Sequence, residues 1–186
     1  MDHDKNRAEI FAALAQGLDL AQILERFRLS AAELRQLFKE AADYYRDQDQ
    51  GFWRIYCDGA SRGNPGPAGA GAALYDPQGK VKAQRSWYLG EATNNVAEYQ
   101  ALILGLKLAQ KFGATRIQVF ADSQLLVHQL NGHYRVKAAH LMPLWREAKQ
   151  RLQNFAAWAI SHVPREQNLQ ADALANQAID QKPQAR

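Results

Sequence analysis

Four carboxylates, Asp58, Glu98, Asp122 and Asp172, stand where a lone acid is a poor structural choice. Asp58 closes the apolar run at 52–57, and Asp122 closes a second at 117–121. Glu98 falls in the first turns of a helical stretch that begins Asn94-Asn95-Val96-Ala97, and Asp172 interrupts an Ala/Leu-rich helix. An ionised carboxylate buried without a partner is expensive, and several gathered together raise one another's pKa. Divalent cations remove both penalties, and magnesium prefers carboxylate and water oxygens. The set therefore predicts a metal-dependent enzyme, provided the fold brings the four acids together.

Each acid sits in a motif that also has a plain structural reading. Asp58-Gly59-Ala60-Ser61-Arg62-Gly63-Asn64-Pro65-Gly66-Pro67-Ala68-Gly69 reads as a strand end followed by a Gly/Pro-rich hairpin loop. It lacks the Gly-Lys-Ser/Thr ending of a nucleotide loop, and a strand follows it rather than a helix. Thr93-Asn94-Asn95 supplies an ordinary helix cap, or free amides and a hydroxyl suited to a phosphate. Asp122-Ser123-Gln124 caps the next helix, or places a carboxylate at the ligand-binding end of a parallel strand. Asp172 adjoins the stripe Ala171, Leu174, Ala175, Ala178. His162 ends the last strand; it is either structural or, beside a reacting water, a proton carrier at neutral pH. The remaining histidines show no zinc spacing.

The elements that must position these groups change character along the chain. Residues 1–50 read as three helices, with Ile10, Leu14 and Leu18 at helical spacing, Gly17 as a breaker and Asp19 capping a helix over 20–27. Ser30-Ala31-Ala32-Glu33 is a capping box for a third helix running to about Arg46. The polar run 47–51 reads as a linker. Beyond it the pattern predicts strands at about 52–58, 69–76 and 81–89, the last two joined by the turn Asp76-Pro77-Gln78-Gly79. Helices at about 94–111, 123–130, 139–153 and 168–180 then alternate with strands at 115–121 and 156–162. A mixed sheet follows, antiparallel in the hairpin part and parallel in the strand–helix–strand part. The last residues, 181–186, are expected to fray.

Charge divides the same way. Residues 1–50 carry 7 Lys/Arg against 10 Asp/Glu, and residues 51–186 carry 16 against 9. A basic surface around an acidic pocket suits a polyanionic substrate held through metal ions, although surface bias alone gives the same numbers. No apolar stretch reaches the length of a membrane span, and the first residues lack a signal-peptide pattern. The single cysteine, Cys57, falls in an apolar strand and reads as a core residue, so a reducing, cytoplasmic setting is expected.

Taken together, the four motifs resemble the type 1 ribonucleases H over about residues 52–180. The resemblance implies an α/β fold, a ribonuclease H-like five-stranded mixed sheet flanked by helices, expected over 51–182; the small all-helical domain expected over 1–50 precedes it. It implies hydrolysis of the RNA strand of RNA–DNA hybrids, leaving 3′-hydroxyl and 5′-phosphate ends. Two Mg2+ ions (Mn2+ substituting), about 4 Å apart, would be held by Asp58, Glu98, Asp122 and Asp172, with His162 assisting proton transfer or product departure. Asn64, Asn94 and Gln124 match positions that touch the RNA strand and its 2′-hydroxyls. Asn95 matches a DNA-strand position, and Thr93 one that helps hold a DNA phosphate. The basic protrusion of some members is reduced here to 131–140, where Arg135 and Lys137 partly replace it. The loop 163–168 is like that of protrusion-lacking relatives, some of which also cut double-stranded RNA. The helices of 1–50 lie outside the resemblance; DNA binding by a helix-turn-helix-like pair, protein contact and a packing accessory are the three readings. A 3′–5′ exonuclease of related fold lacks support because Asp58-Gly59-Ala60 has no Asp-x-Glu. A binding-only module is disfavoured because all four acids are present.

Overall fold

The computed structural model describes residues 3–48 and 51–181, with side chains over 9–41 and 51–181. The chain divides into two compact units, Met1–Gln50 and Gly51–Arg186.

The first unit contains α1 (His3–Ala15), α2 (Leu20–Phe27) and α3 (Ala31–Gln48). Asp19 and Gln22 satisfy each other's backbone donors at the start of α2, and Ser30 and Glu33 do the same for α3. Ile10, Ala13, Ile23 and Leu34 are the buried centre, with Leu14, Leu18, Phe27 and Leu37 packed around them. The expected linker is shortened: Asp47 and Gln48 continue α3, because neither breaks a helix as the glycine at 51 does. Asp49 and Gln50 lie outside the described residues, as does the expected fraying over 182–186.

The second unit is a five-stranded sheet in the order β3-β2-β1-β4-β5. Its strands are β1 (Trp53–Ser61), β2 (Gly66–Tyr75), β3 (Val81–Ala92), β4 (Arg116–Ala121) and β5 (Ala157–His162). The first three pair antiparallel, and β1, β4 and β5 pair parallel. Its helices are α4 (Asn94–Lys111), α5 (Gln124–Leu130), α6 (Met142–Leu152) and α7 (Leu169–Asp180). The expected helix over 139–153 instead opens with a 3-10 turn, Ala139–Leu141, before α6. Pro143 lacks a backbone N–H and fits only the first turn, so it marks where α6 begins. Ile55, Cys57, Leu102, Leu106, Ile117 and Val119 are fully buried between α4 and the sheet. None of the described helices is long and apolar enough to cross a membrane.

Small residues set how closely the helices approach. A Cβ on Gly59 would lie 2.1 Å from the Glu98 backbone nitrogen, and one on Gly71 would lie 2.3 Å from the Ala171 carbonyl oxygen. Gly71 is the cross-strand partner of Asp58. The strand sequence Gly-Pro-Ala-Gly-Ala-Gly-Ala-Ala therefore lets α7 lie against β2, while Gly59 lets the start of α4 lie against β1. These two close approaches bring Asp172 and Glu98 to Asp58.

Candidate active site

The parallel pairing of β1 with β4 ends at Tyr56 and Phe120, two residues short of Asp58 and Asp122. Chain order reverses between these two strands, the place where open α/β sheets bind ligands. Contrary to the sequence expectation, Asp58 does not end its strand: β1 continues to Ser61, paired through Ser61 with Ala68. Much of the Gly-rich motif is therefore strand, because β2 offers small residues all along it, and the connection shrinks to 62–65.

Carboxylate oxygens of Asp58, Glu98 and Asp122 lie within 4.8 Å of one another. Asp58 is 5% exposed and Glu98 6%. Burial first, then the nearby Asp122 and Asp172 charges, push the Asp58 carboxyl up to about 8. Glu98 is also raised, by burial and then by Asp58 and Asp122. One Glu98 oxygen, Oε2, is buried without a hydrogen-bond partner. An all-oxygen donor set, mutual repulsion and an orphaned acceptor are what a hard divalent cation relieves, so these residues fit the expected metal.

Asp172 lines the same cavity, of about 290 Å³, together with Asn94, Ser61, Arg165 and Asn176. It is not part of the tight carboxylate trio: its Oδ1 accepts a 2.6 Å bond from the Arg165 guanidinium, an interaction that raises the Arg165 pKa. His162 is exposed at the end of β5 and is not among the residues lining the cavity. Thr93 caps α4, its hydroxyl accepting from the Val96 N–H at 3.3 Å. Ser123, not Asp122, caps α5, which leaves the Asp122 carboxylate for the cluster. The Asn64 side chain accepts from the Asn94 N–H at 3.2 Å, joining the turn after β1 to the start of α4. Asn95, Gln124, Arg135 and Lys137 are exposed, and Arg135 lines a second cavity with Tyr134, Val136 and Trp145.

The sequence reading missed Asn168 as a site residue. It is 1% exposed, and its Nδ2 donates to the Cys57 carbonyl at 3.0 Å and to Asp122 Oδ1 at 2.9 Å. Two acceptors require the amide NH2 to face them, which leaves Oδ1 without a partner. Asn168 precedes α7 without capping it through its side chain. Its only sequence signal was an asparagine one turn before Asp172, which reads as a routine cap. Asn168→Ala should weaken divalent-cation binding at the cluster about 10- to 100-fold, as for groups that orient metal-binding carboxylates. A calorimetric Mn2+ titration should show that loss; unchanged affinity would remove Asn168 from this role.

A mixed sheet with an acidic cluster where two parallel strands part defines the class: an α/β domain whose buried carboxylates fit a divalent cation at a topological switch point. The chain belongs to the type 1 ribonuclease H family. Residues 56–178 match the family described as "Reverse transcriptase-like". Ribonuclease HI of Halobacterium salinarum is 46% identical over 125 residues, 67% of this chain and 63% of that protein. The crystal structure of the Halobacterium enzyme aligns with a TM-score of 0.68 at 45% identity, covering 70% of this chain and 98% of that one. The bifunctional protein Rv2228c of Mycobacterium tuberculosis is 45% identical over 132 residues, 70% of this chain and 36% of that protein. Its N-terminal RNase H domain aligns with a TM-score of 0.68 at 44% identity, covering 70% of this chain and 94% of the solved one. LC11-RNase H1, isolated from compost and solved with an RNA/DNA hybrid, aligns with a TM-score of 0.66 at 41% identity, covering 69% of this chain and 96% of that one. The matched region thus spans less than two thirds of the full-length Halobacterium and Mycobacterium proteins.

Proposed function

We propose that the second unit is an endonuclease that hydrolyses the RNA strand of RNA–DNA hybrids, leaving 3′-hydroxyl and 5′-phosphate ends. The observation that carries this reading is the convergence of Asp58, Glu98 and Asp122 where β1 and β4 part. Its family membership and the hybrid bound by LC11-RNase H1 support the substrate class. Two Mg2+ ions are the expected cofactor, with Mn2+ able to replace them. Asp58, Glu98 and Asp122 would hold them, with Asp172 completing the set once its carboxylate leaves Arg165. Bound there, the ions would supply Lewis-acid polarisation of the scissile phosphate and a lowered pKa for the attacking water.

The protein's own groups do the rest. Asn168 keeps Asp122 in its rotamer and ties it to β1 through the Cys57 carbonyl. Arg165 balances Asp172 while no substrate is present. In this reading Asn64, Asn94 and Gln124 meet the 2′-hydroxyls that distinguish RNA from DNA. Asn95 and Thr93 face the DNA strand, and the exposed Arg135 and Lys137 hold its phosphates. His162, at the C-terminal end of β5, is the proton carrier at the departing oxygen. Double-stranded RNA presents the same 2′-hydroxyls and is a further candidate substrate.

Cleavage of an end-labelled RNA–DNA hybrid, with double-stranded RNA in parallel, tests the reading. Internal cuts in the RNA strand that require Mg2+ or Mn2+, vanish with chelator and leave 5′-phosphates are expected. Hybrid binding by the folded chain without cuts in either metal would replace the enzyme with a binding module.

A further inference from the structure

Among the described residues outside the carboxylate site, one pair of metal-ligating side chains meets at bonding range. His128, near the end of α5, and His133, in the loop that follows, have their Nδ1 atoms 3.3 Å apart. The backbone holds them there. The N–H groups of His133 and Tyr134 both donate to the His128 carbonyl, at 2.9 and 3.1 Å. Gly132 makes this turn at φ +81°, a conformation costly for other residues. The Tyr134 ring packs on the His128 ring with centroids 4.7 Å apart. Among the described residues no carboxylate is paired with either imidazole. With two nitrogens face to face, one ring must carry the Nδ1 proton and the other accept it.

We propose that His128 and His133 form a two-nitrogen chelate for a late first-row divalent cation of the Ni2+, Cu2+ or Zn2+ class. Neutral imidazole is a favoured ligand for these ions, whereas Mg2+ takes oxygen ligands. A tetrahedral ion with Zn–N bonds of about 2.0–2.1 Å spaces two ligand nitrogens by roughly 3.3–3.4 Å. The observed 3.3 Å separation is that bite. Each Nδ1 lone pair need only turn toward a common point beside the line joining them. In the neutral pair the cation displaces the single bridging Nδ1 proton, which passes through solvent to the bare Nε2 of the same ring, so both rings bind as neutral imidazoles protonated at Nε2 and no net proton is released. His133 is exposed and His128 partly so, leaving room for water on the ion's remaining positions. Loading ties the end of α5 to the loop carrying Tyr134, Arg135 and Lys137. The chelate does not depend on the ribonuclease reading.

Ni2+ titrated calorimetrically into the full chain tests it, with millimolar Mg2+ present to occupy the carboxylates. One site is expected, at least tenfold weaker in either His128→Ala or His133→Ala and unchanged in His140→Ala, which alters an exposed histidine outside the pair. In the unsubstituted protein, paramagnetic Ni2+ should broaden the ring resonances of His128 and His133 before those of other histidines, a readout independent of any variant's folding. Equal affinity in the wild type and His133→Ala, or first broadening at other histidines, would overturn the proposal.

Discussion

Replacing Asp58 with asparagine should cut hybrid cleavage by roughly 10³-fold or more and, at the same time, make the metal-free protein more heat-stable at pH 8–9. The first effect follows from removing a central member of the carboxylate cluster: metal ions contribute several kcal/mol to the transition state of phosphoryl chemistry, and about 1.4 kcal/mol is a factor of ten. The second follows from linkage. Burial and the neighbouring Asp122 and Asp172 push Asp58 up to about 8 from an ordinary 3.8. The folded, metal-free state thus keeps a proton that the unfolded chain gives up near pH 4. Stability tied to that proton is complete below about pH 4 and is lost as pH rises through about 8. A shift of this size corresponds to a loss on the order of a few kcal/mol. Asparagine fills the same space without ionising, so the variant escapes that loss. Calorimetric melting of both proteins from pH 4 to 9, with chelator and with Mg2+, checks this. The wild type should lose stability with pH in chelator and regain it with Mg2+, and the variant should show a smaller loss, because burial still raises Glu98. A wild-type melting temperature independent of pH would show that the Asp58 charge is solvated rather than confined.

Gly59→Ala should destabilise the fold severely, by roughly 3–5 kcal/mol, a large share of a typical domain's stability of about 5–15 kcal/mol. The new methyl would sit 2.1 Å from the Glu98 nitrogen, 2.2 Å from the Ala97 carbonyl carbon and 2.6 Å from its oxygen. All three are backbone atoms of α4, so no side-chain rotation relieves the clash. The helix must move off β1, and it carries Tyr99, Leu102, Ile103 and Leu106, all buried. Gly113→Ala is the control: its φ of +72° disfavours alanine, yet nothing lies within 4 Å of the added atom, so a cost of only about 1 kcal/mol is expected. Urea unfolding of the two variants separates these cases. Similar midpoints would mean that α4 does not lie as close to Gly59 as described. Where Gly59→Ala still folds, its cleavage should also fall, because Glu98 moves with the helix.

Most of the elements were legible because their signals are local. The turn at 76–79 closes as expected, with Gly79 N–H donating to the Asp76 carbonyl at 2.9 Å. The helix over 94–111 was bounded correctly because Thr93 caps it and the glycine at 113 follows it. The acids at 58, 98 and 122 stood out because each broke an apolar or helical pattern that packing alone would have kept intact.

The sequence by itself thus determined which segments become helix or strand, which acids are candidates for metal, and that a helical unit precedes the sheet. Only the tertiary structure decided that β1 runs on past Asp58 and that Asn168 ties Asp122 to β1. The physical reason is range. Periodicity, caps and turns are interactions across three or four residues and leave a pattern in the chain. The Asn168 bonds to Cys57 and Asp122 join residues 111 and 46 positions apart, and no local pattern encodes which distant polar group a buried amide will find once glycines have set the distance between helix and sheet.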